Sequence, residues 1–134
     1  MDIKKLRHNT GQIPGVPKNP RLIKDDKYRK LVKSITDDPE MLNLRECIAY
    51  PIDDTFVVVM GNMRLTACRE LGITDVPVKI LPADTPPEKI RSYTVKDNVS
   101  FGEWDFDVLS DEWDTEELTE WGVDMPDLDR KSVV

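Results

Sequence analysis

Val57-Val58-Val59-Met60-Gly61-Asn62-Met63-Arg64-Leu65-Thr66-Ala67-Cys68-Arg69-Glu70-Leu71-Gly72 is the stretch that decides the fold of this chain. The run from Thr55 to Met60 is continuously apolar and rich in β-branched residues, the pattern of a strand covered on both faces. After it, Leu65, Cys68 and Leu71, with Ala67, fall on one side of a helix, and Gly72 stands where a left-handed residue closes one. A single glycine joins strand to helix. Such a junction aims free backbone N–H groups and the positive end of the helix dipole at one point. Gly61 permits positive φ and close approach of a ligand. Arg64, in the first turn, can fold back over that point and hold a phosphate with two N–H groups, and Asn62 adds a donor and an acceptor. By themselves these residues fit two readings: ordinary strand-to-helix topology, and an anion site.

Working outward, Glu46–Tyr50 reads as a strand joined to Thr55–Met60 around Asp53-Asp54. Before it, Tyr28, Leu31, Val32 and Ile35 form one apolar face of a helix with Asp25 as N-cap, ended by Asp37-Asp38-Pro39. A short helical turn is expected at Glu40-Met41-Leu42. Residues 9–20 hold three prolines and two glycines and predict an irregular loop. Met1–Arg7 alternates enough for an edge strand, and Val76–Leu81 reads as another, edge-placed by Pro77. Thr85-Pro86-Pro87-Glu88 predicts a helix with Thr85 as N-cap, Pro86 at N1 and a capping box to Glu88, running to Asn98. Two acidic helical segments follow, one with Phe106, Leu109 and Trp113, the other with Leu118 and Trp121, capped by Asp114 and closed by Gly122. Trp104, Phe106, Trp113 and Trp121 are expected as core and helix-docking residues, docked on the chain's own sheet or on a partner such as a second copy, since so much aromatic area is costly to leave in water. The expected architecture is α+β: a small mixed sheet packed with helices and an acidic helical tail, with 1–101 as the domain, 102–126 as its Trp-rich extension and 127–134 frayed.

Among 134 residues, 34% are charged and the net charge is −7. Residues 1–80 carry 14 Lys/Arg and 11 Asp/Glu, residues 81–134 carry 5 and 15, so a balance of +3 meets one of −10. That disfavours autonomous, non-specific nucleic-acid binding and suggests two surfaces with different partners. Cys47 and Cys68 lack metal-ligand or disulfide-framework spacing and read as small buried hydrophobes. No apolar run is long enough for a membrane span or signal peptide, so a cytoplasmic protein is expected. His8 is the only histidine, which excludes metal sites built on several of them.

The run Gly61-Asn62-Met63-Arg64-Leu65-Thr66-Ala67-Cys68-Arg69-Glu70-Leu71-Gly72 resembles the Gly-x-x-Arg-x-x-Ala-x-x-x-Leu-Gly signature of the ParB/sulfiredoxin-like superfamily, of the kind found in phages and mobile elements. Asn19-Pro20-Arg21 is similar to that family's Asn-Pro-Arg box, Val76-Pro77-Val78 to its following strand, and Asp97-Asn98 to its Glu-Asn box. The resemblance spans about residues 3 to 121. It implies CTP or ATP with Mg²⁺, held by Gly61, Asn62, Met63, Arg64, Arg21 and Asn98, with Asp97 at the metal. It implies a role in DNA partition, in plasmid or phage maintenance, or in regulating a DNA-modifying partner such as a DNA methyltransferase. DNA would be reached indirectly, through a partner protein or a second copy of the chain. Two alternatives stand beside it: a ParB-like nuclease or NTP hydrolase, and an interaction module with a decayed phosphate site. The departures are specific. Met63 replaces one of two adjacent basic residues, and Asp97-Asn98-Val99-Ser100-Phe101 lacks the arginine of the Glu-Asn-x-x-Arg box. No cysteine lies in the Gly-x-x-Arg loop, which argues against sulfiredoxin activity.

Overall fold

A computed structural model describes residues 1–21, 25–99 and 104–126, and divides the chain into two units, Met1–Val99 and Ser100–Val134. The first is an α+β unit on a four-stranded mixed sheet, order β1-β3-β2-β4. Its elements are β1 (Leu6–His8), α1 (Asp25–Asp37), α2 (Met41–Leu44), β2 (Cys47–Ile52), β3 (Thr55–Met60), α3 (Asn62–Glu70), β4 (Val78–Ile80) and α4 (Pro87–Asn98). The hairpin β2–β3 is antiparallel and turns at Asp53-Asp54, where Asp53 takes φ 52°. β1 lies parallel to β3, and β4 parallel to β2. Both outer strands are short, three residues each, and Pro77 precedes the outer β4 as expected.

β3 runs through the middle of two cores. Val58 packs into one, with Leu6, Leu65, Cys68 and Ile35; Val57 and Val59 pack into the other, with Ile13, Val16 and Ile90. Alternation along one strand thus serves both faces, which is why the run is apolar throughout. Tyr28, Leu31 and Val32 pack against the first core beside buried Ile35, the α1 face read from the sequence. Cys47 and Cys68 are buried and unpaired. Loop 9–20 is itself a lid on the second core: Ile13 and Val16 are buried, Asn9 Nδ2 donates to Pro17 O at 2.9 Å, and Arg91 donates to Gly15 O.

Several expectations are corrected. Met1–Arg7 is not one strand: Asp2 makes an isolated antiparallel bridge to Asp75, Ile3–Lys5 form a 3-10 turn capped by Asp2, and the strand itself is Leu6–His8. α4 begins at Pro87, with Pro86 as its N-cap and no side-chain cap, while Thr85 Oγ1 bonds Pro82 O at 2.7 Å. The reason is the proline pair, because Pro87 holds the residue before it extended, at ψ 144°. Leu71, expected on the buried face of α3, is exposed at its C-cap. Gly72, by contrast, sits at φ 73°, with Gly72 N–H on Arg69 O and Ile73 N–H on Cys68 O, the two bonds that close a helix through a left-handed residue.

The second unit contains α5 (Phe106–Glu112), capped by Asp105, and α6 (Thr115–Glu120), capped by Asp114, whose side chain accepts from Glu116 N and Glu117 N. Gly122, at φ 104°, ends α6. Leu109 and Leu118 are buried, but Trp104, Trp113 and Trp121 are 62%, 54% and 61% exposed. The three tryptophans are therefore not core residues of the single chain. Trp113 and Trp121 are the C-caps of their helices, where helical periodicity no longer sets the direction of a side chain. The expected fraying at 127–134 lies outside the described residues.

Candidate functional site

Gly61 is the N-cap of α3, at φ 94° and ψ 23°, and no side chain caps this end. A Cβ here would lie 3.0 Å from Cys47 Sγ and 3.4 Å from Arg64 Nη1. Glycine is therefore required twice, by the left-handed backbone and by the close wall of β2. The second distance also places the Arg64 guanidinium folded back over the helix start. Its N–H groups and the first-turn backbone donors face one cleft.

That cleft is lined by Gly61, Asn62, Met63, Arg64, Arg21, Asp97 and Asn98, so all seven residues singled out in the sequence come together. Each arrives from a different cause. Asn19 Oδ1 accepts Arg21 N–H across Pro20 at 3.2 Å, a turn that presents Arg21. Asp97 and Asn98 end α4, where Asn98 Nδ2 donates to Thr94 O at 2.7 Å. Burial pulls the Arg64 pKa down, and the like charge of Arg45 adds to that, while Cys47 and Asp97 oppose it. Burial dominates at Cys47 as well and pushes its thiol up to about 11, so it stays protonated beside the turn.

Asn62 has another task. Its side chain is buried, with Nδ2 on Val58 O at 2.8 Å and Oδ1 accepting Asn9 N–H at 3.1 Å. The amide read as a ligand donor is thus consumed in tying β1's exit to β3's exit, and Asn62 faces the cleft with its backbone. His8 continues this tie: its Nε2 meets Thr66 Oγ1 at 2.8 Å, and Arg69 donates to its Nδ1 at 3.0 Å. Thr66 in turn donates to Asn62 O. Burial first, then Arg69, hold the His8 pKa below the ordinary value.

Two solved structures of the C-terminally truncated chromosome-partitioning protein ParB from Caulobacter crescentus are similar to this chain, each at 18% identity. The one complexed with CTP-gamma-S has a TM-score of 0.61 and covers 83% of this chain and 61% of its own. The one complexed to the centromeric parS site has a TM-score of 0.54 and covers 90% and 62%. The fold is ParB-like. This chain spans about three-fifths of those ParB structures. No family model and no curated protein matches the sequence.

Within this ParB-like fold the cleft contains residues that the sequence reading did not assign to it: Arg45, Leu31, Val59 and Met60, together with Asn19 from the Asn-Pro-Arg box. Arg45 was legible in principle. Counting back from the Asp53-Asp54 turn pairs Ile48 with Val59, and a register shift between Ile48 and Ala49 moves the partner one residue on, to Met60, so the chain just before β2 comes alongside the end of β3. Ser100 and Phe101 of the depleted box lie outside the described residues. Among the described residues no group of three or more His, Cys, Asp or Glu could hold a metal ion, and no helix is long and apolar enough to cross a membrane.

Proposed function

We propose that the chain binds a nucleoside triphosphate, CTP or ATP, at the Gly61–Arg64 turn, and serves as a nucleotide-dependent part of a DNA-partition or maintenance system of the phage or mobile-element type. The observation that carries the reading is the convergence of Gly61, Arg64, Arg21, Asp97 and Asn98 on one cleft at an uncapped helix start. The phosphates would take the first-turn N–H groups of α3 and the guanidiniums of Arg64 and Arg21. One carboxylate is too few for a free-standing cation site. It suits Mg²⁺ that arrives on the phosphates, which supply most of the remaining oxygens. When bound, the ion would neutralise phosphate charge; Asp97 would hold it, and Asn98 would orient the phosphates. DNA would be engaged through a partner or a second copy, in keeping with the net charge of −7.

A thermal-shift panel of CTP, ATP, GTP and ADP, with and without Mg²⁺, tests this directly. A ligand at a hundred times its dissociation constant adds about 2.7 kcal/mol to stability. Arg64→Ala is expected to lose about ten-fold or more in affinity, the loss of one charge-assisted phosphate contact, while the fold persists. Calorimetry showing unchanged affinity in that variant would move the site away from this turn.

A further inference from the structure

Arg45 is the cleft residue that no sequence motif accounts for. It is the C-cap of α2, at φ −143° and ψ 78°, and it leads directly into β2. It thus enters the cleft from the hairpin side, while Arg21 enters from loop 9–20 and Arg64 from α3. Three guanidiniums from three separate segments face one opening, with Asp97 as the single carboxylate among the lining residues. Among the described residues, none of the three makes a guanidinium hydrogen bond or an ion pair. Arg45 is near enough to Arg64 for their repulsion to be felt at Arg64. Three like charges held together with one carboxylate between them carry an excess of positive charge that favours a polyvalent anion, whose binding relieves the repulsion.

We propose that Arg45 is a phosphate-binding residue that gives this cleft its preference for a triphosphate over a monophosphate. The inference rests on the nucleotide reading above and adds to it the length of phosphate chain the site selects. A single phosphate has three terminal oxygens, which the α3 start together with Arg64 would take up. A guanidinium arriving from a separate wall therefore meets an oxygen only when the anion extends past that first phosphate. Arg45 suits this because it is exposed, its backbone is set by the α2-to-β2 junction, and its planar fork can take two oxygens of one phosphate.

The test is calorimetric titration of the full chain with CTP, CDP and CMP, and with ATP, ADP and AMP, in Mg²⁺, for the parent, Arg45→Ala, Arg45→Lys and Arg64→Ala. Arg45→Ala is expected to lose about ten-fold in triphosphate affinity and less than about three-fold for the monophosphate, with Arg45→Lys between, as a point charge replaces a fork. Arg64→Ala is expected to weaken all three phosphate lengths. Arg45 is exposed, so the melting temperature of its two variants without ligand should hold. If Arg45→Ala weakens monophosphate and triphosphate equally, or weakens neither, the assignment of Arg45 is wrong while the nucleotide reading stands. If the parent binds no nucleotide, the nucleotide reading fails and the role of Arg45 fails with it.

Discussion

Replacing Gly61 with alanine strikes the geometry on which the cleft depends. At φ 94° an L-residue presses its Cβ on the following carbonyl, at roughly 1–2 kcal/mol. The new Cβ would also stand 3.0 Å from Cys47 Sγ and 3.3 Å from Cys47 Cα. Cys47 is 1% exposed, on an inner strand of the sheet, so it has no solvent to swing into. Forcing a methyl group into such a wall costs about 1–3 kcal/mol. Gly61→Ala is therefore expected to lose about 2–5 kcal/mol, against the roughly 5–15 kcal/mol that holds a domain folded. Urea unfolding followed by far-ultraviolet circular dichroism reads the loss as a lower midpoint with unchanged slope. A double-mutant cycle separates the two causes. In a Cys47→Ala background the backbone strain stays and the clash with sulfur goes, so the coupling should be about 1 kcal/mol or more. A Gly61→Ala protein within about 0.5 kcal/mol of the parent would refute the left-handed turn. Additive losses would instead refute only the close approach of Cys47.

Asn62→Ala should destabilise by about 2–4 kcal/mol, because Val58 O and Asn9 N–H both lose a buried partner. Hydrogen exchange at the Asn9 amide should accelerate with it, and an unchanged rate would place the tie elsewhere. His8 gives a pH dependence. Its folded pKa lies below the ordinary value, so as pH falls through about 6.5 the unfolded chain takes up a proton that the folded chain resists. Stability contributed above that pH is lost on acidification, until the folded pKa is passed. Urea midpoints should therefore fall more between pH 7.5 and 5.5 for the parent than for His8→Gln, and equal falls would remove His8 as the cause.

What the sequence made legible was local. The apolar run of β3, the glycine after it, the α3 face through Cys68 and the Gly72 closure follow from residues within a turn or two of each other, and they stand as read. The errors arose where a distant or competing constraint won. Pro87 overrode a well-formed capping box by fixing the residue before it. The tryptophans at the ends of α5 and α6 lie where periodicity stops carrying information about burial. Asn62 looked like a free amide because its partners, Asn9 and Val58, become neighbours only once β1 lies beside β3. Loop 9–20 read as irregular, and it is; that Ile13 and Val16 make it the cover of a core required knowing which face α4 left open. Among the cleft residues, those in short motifs were found, and Arg45, placed by hairpin register alone, was not.

The sheet order also decides when the cleft comes into being during folding. Only the β2–β3 hairpin joins residues close in the chain; β1 reaches β3 through Leu6 and Phe56, fifty residues apart, and β4 reaches β2 through Cys47 and Val78. Contacts of long separation carry the loop-closure penalty and form after local ones. The walls of the cleft run from Asn19 to Asn98, and its floor is tied to β1's exit through Asn9 and Asn62. No early hairpin contains it. An anion bound there as proposed would grip contacts that are expected to form last and open first, and would lengthen the lifetime of the folded state rather than hasten its arrival.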